Sequence, residues 1–151
     1  MGRPLAPGEV GVERVPDGWA LPPVEALAEA QRLVEAGHPF NAHEVLEGSW
    51  KAAGSAADKA LWRSLAQLAV GLTHAQRGNA VGAQTLLRRG ADGLRAATGT
   101  TPYDIPVDRL RAEAAGLADL AEQGAAFTPM LTFVDRDTTA DHSAAQAPVG
   151  T

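Results

Sequence analysis

Leu61, Leu65, Leu68 and Leu72 return every three or four residues. That spacing lines one face of a 3.6-residue helix and does not suit a strand, whose faces alternate every two residues. The run opens at Ser55-Ala56-Ala57-Asp58, where a hydroxyl and a carboxylate mark a helix start, and it closes at Gly78. A leucine face of this length has to be covered, and the neighbouring segments carry the same period. Val24, Leu27, Ala30 and Val34 stripe a first helix that begins at Pro22-Pro23 and stops at Gly37. Ala42, Leu46, Trp50 and Ala53 stripe a second, which opens with Asn41 as its cap and Glu44 three residues on, and ends near Gly54. A fourth helix over about 80–97 carries Ala83, Leu87, Gly90, Ala91 and Leu94 on one side, with Ala83 and Gly90 leaving room for another backbone. Asp108 caps a fifth, running to about Gln123 on Leu110, Ala114, Leu117 and Ala121.

Short links between such helices predict an all-α fold, an antiparallel bundle of four to five helices. Residues 1–21 hold Pro4, Pro7, Gly8, Gly11, Pro16 and Gly18 and read as an extended N-terminal arm anchored by Trp19. Residues 130–134 are apolar enough to dock as a final segment, whereas 135–151 are too polar to bury and read as a flexible, disordered C-terminal tail. One helical-bundle domain over 22–134 results, well within what 151 residues can support. Aromatic content of 5% against 45% hydrophobic agrees, since alanine and leucine favour packed helices over sheets.

A net charge of −5 argues against bulk binding to nucleic acid or to an anionic membrane, both of which need a clustered positive field. No stretch approaches the roughly 20 apolar residues of a membrane span, and no secretory signal pattern opens the chain, so a cytoplasmic location is expected. Without cysteine, disulfides and thiolate chemistry are excluded, and a metal would rest on His, Asp or Glu. Self-association into a homo-oligomer stays open for an alanine-rich bundle.

The chemistry concentrates in residues 40–50, which place His43, Glu44, Glu47 and Trp50 on one short helix. At 100° per residue His43 and Trp50 fall about 20° apart, and Glu47 lies about 40° from His43. His43 and Glu47 are therefore the candidate catalytic acid/base pair, or half of a divalent metal site that His74 would extend. Gln67 and His74, seven residues apart on the third helix, share a face within about 20°. The plainer alternative is a structural network, with Glu47 paired to Lys51 one turn on. Ser49 has no G-x-S-x-G turn around it, so no hydrolase nucleophile announces itself, and there is no glycine-rich phosphate loop. Arg77, Arg88, Arg89 and Arg95 make a positive region with Asp92 as counter-charge, an anion site at the start of the fourth helix unless Arg88 pairs with a glutamate between helices. Trp50 and Trp62 read as core residues.

Set out in this way, several motifs resemble a bacterial and archaeal family known as domain of unknown function 309. They are Phe40-Asn41-Ala42-His43-Glu44-Val45-Leu46-Glu47 with Trp50, Leu65-Ala66-Gln67-Leu68-Ala69 with His74, Arg77-Gly78-Asn79 with Gly82-Ala83, and Leu86-Leu87 with Arg89-Gly90-Ala91, over roughly 39–97. The resemblance implies a helical bundle in which His43, Glu44, Glu47, Trp50, Gln67 and His74 occupy motif positions and lie together, and it implies no activity. A non-catalytic interaction or ligand-binding module without a cofactor is the resulting expectation. The alternative is a metal-dependent or acid/base, hydrolase-like enzyme using His43, Glu47 and His74.

Overall fold

The computed structural model describes residues 21–135, so the expected arm over 1–20 with Trp19 and the tail over 136–151 lie outside the described residues. Among those described are five α-helices and no strand: α1 (Pro23–Glu35), α2 (Pro39–Ala52), α3 (Ala56–Gln76), α4 (Ala80–Gly93) and α5 (Val107–Glu122). Two short 3-10 turns, Arg95–Ala97 and Pro102–Asp104, link α4 to α5. None of these helices is long and apolar enough to cross a membrane.

The starts of α3 and α4 follow from their caps. Ser55 Oγ accepts from the Asp58 amide at 3.1 Å, and Asn79 Oδ1 accepts from the Gly82 amide at 2.9 Å, each satisfying a donor that the first helical turn leaves open. Two other starts differ from the sequence expectation. α2 opens at Pro39 and not at Asn41, because a proline there has no N–H to satisfy and a φ already suited to the helix. α5 opens after Pro106 without a side-chain cap, and Asp108 instead accepts from the Gly99 amide at 3.0 Å, tying down the connector. α4 stops at Gly93, short of the expected Ala97. Val24, expected on the buried face of α1, is exposed; that face is formed by Ala26, Leu27, Ala30, Leu33 and Val34.

Direction along the bundle can be read from pairs of residues. A Cβ added at Gly71 would meet Leu87, one at Gly82 would meet His74, and one at Gly93 would meet Ser64. Numbers rise on α3 as they fall on α4, so the two are antiparallel. Arg88 reaching Asp119 and Glu122, and Arg111 reaching the Ala91 carbonyl, place α5 antiparallel to α4 by the same reasoning. The main helix contacts run between neighbours in sequence, α1 with α2 through to α4 with α5. The α3 leucines Leu65, Leu68 and Leu72 are fully buried and Leu61 nearly so, as their period requires.

An array of neighbour contacts leaves its first and last helices to be joined, and residues 131–134 join them. Leu131 and Phe133 are fully buried. Gln31 of α1 donates to the Leu131 carbonyl at 3.1 Å and accepts from the Phe133 and Val134 amides at 2.7 and 3.2 Å. From α5, Glu113 accepts from the Thr132 amide at 2.8 Å and from its hydroxyl at 2.9 Å. Two side chains thus satisfy the backbone of an extended strap that has no sheet to pair with. The docked final segment expected from the sequence is this strap.

At Gly90 a Cβ would stand 2.6 Å from the Leu68 side chain and 2.9 Å from the Ser64 carbonyl, which belongs to the backbone and cannot swing away. Gly116, inside α5, has nothing within 4 Å of that position. Gly90→Ala should therefore destabilise by about 1–3 kcal/mol, because overpacking outweighs the gain in helix propensity. Gly116→Ala should stabilise by about 0.5–1 kcal/mol. Urea unfolding of the two variants measures both, and effects of the same sign would contradict the close approach of α3 and α4.

Candidate functional site

Two arginine–aromatic contacts fix how α2 lies along α3. The Arg77 guanidinium sits 5.8 Å from the centre of the Phe40 ring, and that of Arg63 sits 5.8 Å from the Trp50 ring. α2 therefore runs antiparallel to α3. That register sets His43 level with His74, and Gln67 level with the turn between Leu46 and Trp50. The motif residues on the two helices, His43, Glu44, Glu47, Trp50, Gln67 and His74, are each part-buried.

Partial burial does not make them one network. His43 Nε2 lies 4.0 Å from Glu47 Oε1, an ionic contact too long for a hydrogen bond. The other ring nitrogen, Nδ1, is buried and has no hydrogen-bond partner, while the ring packs on Phe40 at 5.4 Å between centroids. His74 is engaged elsewhere: its Nδ1 lies 3.2 Å from Asn79 Nδ2 and accepts from that amide. The same Asn79 caps α4, and Gly82 is where a Cβ would strike the His74 ring at 2.8 Å. Together with Gly78 at φ +79°, the Arg77-Gly78-Asn79 and Gly82 motif is accounted for as a lock on the α3–α4 turn.

Among the described residues no hydrogen bond joins His43, Gln67 and His74, and no three His, Cys, Asp or Glu side chains gather to hold a metal ion. His43 and Glu47 stand as a pair.

The basic set is also dispersed. Arg88 crosses to α5 and pairs with Glu122 at 2.7 Å and Asp119 at 3.2 Å, Arg95 pairs with Asp92 at 2.8 Å, and Arg77 faces α2. Arg89 is exposed on α4. These arginines do not converge, and Arg88 takes the interhelical pairing weighed as the alternative to an anion site.

Sequence reasoning missed two groups of residues. Phe40, 45% exposed despite its size, and Arg63 complete the two ends of the seam. The i to i+3 spacing of Phe40 and His43 was the available signal for the first. No local spacing signals the second group, because Tyr103 and Asp58 are 45 residues apart. Tyr103 donates to Asp58 Oδ2 at 2.8 Å, and its ring packs on Trp62 at 5.7 Å. The hydrogen bond to Asp58 is the main cause that holds the Tyr103 hydroxyl above its ordinary range, with desolvation and the carboxylate charge adding to it.

The neutral phenol is thus favoured in the folded chain. Its contribution is fully present below the unfolded value of about 10 and is lost as pH rises through the raised folded value. Asp58→Asn should return Tyr103 to the ordinary range, read from phenolate absorbance on alkaline titration. An unchanged titration would show that the bond does not form in solution.

No curated protein and no solved structure matches this chain. A family model does match, over a block that takes in α1 from Leu27, all of α2 and α3, and the first half of α4 to Leu86. Residues 27–86 match the model of the family described as domain of unknown function DUF309.

Proposed function

We propose that this domain is a non-catalytic binding module that takes a protein segment along the seam between α2 and α3. The observation that supports this reading is the bracketing of His43 and Glu47 by two arginine–aromatic pairs, Phe40 with Arg77 and Trp50 with Arg63, on a face partly open to solvent. Aromatic and arginine side chains anchor protein interfaces because they bury much area for few rotatable bonds and offer directed donors. The unpartnered His43 nitrogen in their midst lowers the stability of the free domain, a cost expected where residues serve a partner and not the core. Catalysis asks instead for converging acid, base or nucleophile. The seam offers one His–Glu contact at 4.0 Å.

A photo-crosslinking residue at position 40 should give a discrete adduct in cells that Arg77→Glu abolishes, whereas the same residue at position 116, on the open face of α5, should give none. An adduct at twice the chain's mass would identify the segment as part of a second copy. Equal crosslinking from both positions would overturn the reading. His43→Leu should leave the thermal midpoint unchanged or raise it, while Leu46→Ala, at a fully buried position, should cost about 2–5 kcal/mol. A loss of about 1–3 kcal/mol for His43→Leu would make His43 a structural residue and count against the proposal.

A further inference from the structure

Where α2 hands the chain to α3, Ala52, Ala53 and Gly54 are too small to fill the space beside Trp62 and Tyr103. A cleft of about 300 Å3 remains, at the small end of the range of ligand pockets.

Its polar groups are few. Ser49, 6% exposed, has its hydroxyl buried in the wall without a hydrogen-bond partner. Other buried helical hydroxyls in this protein bond the carbonyl one turn back, Ser64 to Ala60 at 2.8 Å and Thr73 to Ala69 at 2.9 Å. Ser49 departs from that habit, and it is one of the residues that line the cleft. Asp58 supplies the one formal charge among the described lining residues, which include no Lys, Arg or His. Its carboxylate accepts from Tyr103 and has lone pairs to spare.

Tyr103 is held there by an unusual backbone. It and Asp104 both adopt left-handed conformations, φ +54° and +65°. Tyrosine is a poor residue for that region, and such conformations persist only where the surroundings impose them, often around ligands. The result is a phenol ring set against Trp62 with its hydroxyl aimed at Asp58.

A carboxylate, a hydroxyl with unused capacity and two aromatic rings in a small cleft are complementary to a compact cation that carries N–H donors. An anion would be repelled by Asp58 and by the net charge of −5. A neutral molecule would gain only the apolar contact. We propose that this cleft binds a small organic ammonium ion, its charge on Asp58, one N–H on Ser49, and its carbon body against Trp62 and Tyr103. The cleft shares no lining residue with the His43–Glu47 pair or with the two arginine–aromatic contacts, and Tyr103 lies outside the DUF309 block.

Benzylammonium chloride and its neutral counterpart benzyl alcohol are suitable probes, with binding followed by NMR at the Trp62 indole, assigned through Trp62→Phe. Saturable shifts with benzylammonium, about tenfold tighter than with the alcohol, are expected. Asp58→Asn should erase the difference. It retains the backbone N–H that Ser55 caps, so the start of α3 survives. Tyr103→Phe should keep the preference for the cation, since ring and carboxylate both remain. Absence of a saturable shift, equal binding of the two probes, or an undiminished preference in Asp58→Asn would each overturn the proposal. Should Asp58→Asn fail to fold, the comparison of the two probes on the unaltered chain decides alone.

Discussion

The leucine face of α3 is the constraint on which the other helices depend. It is covered from two sides, by α2 and by α4, and each side solves a different packing problem. Toward α4 the contact is made short by glycine: Gly71 on α3 and Gly90 and Gly93 on α4 each stand where a methyl would strike the other helix. Backbones that approach this closely exclude water fully from the leucines between them. Toward α2 the contact is made by longer side chains, so its edges stay open and half-polar. His43, Glu47 and Trp50 stay part-buried on the α2 side, while on the α4 side glycine sets a close approach.

The two motif histidines differ in the same way. His74 and His43 stand level across the seam, yet His74 is bound to Asn79 over a glycine and secures a turn, while His43 holds an unpartnered nitrogen beside an exposed ring. The two histidines look alike in the sequence and do different work in the fold.

Much of the fold was legible from the chain alone. Helical period placed all five helices, and Ser55 marked one of their starts, because caps and apolar faces are local properties. The misreadings have local causes as well. Asn41 lost the cap of α2 to Pro39 two residues earlier, and Asp108 found the Gly99 amide across the connector in place of its own helix. The site was harder to read. Helix phase put His43, Glu47 and Trp50 on one side of α2, but phase within a helix does not say whether side chains on two helices bond. The Tyr103–Asp58 contact and the strap clamped by Gln31 depend on where distant segments meet, and no periodicity encodes that.

The strap also separates two length scales in the chain. Every principal helix pair joins neighbours in sequence, so each closes a short loop, whereas the bond from Gln31 to the Leu131 carbonyl spans 100 residues. Closure entropy grows with the length enclosed and is recovered only through the contacts that closure makes. The helices can therefore assemble in succession, each on the one before it. The strap has a surface to grip only once α1 and α5 have been carried to the same place, which makes it a gauge of whether the whole array has the correct curvature.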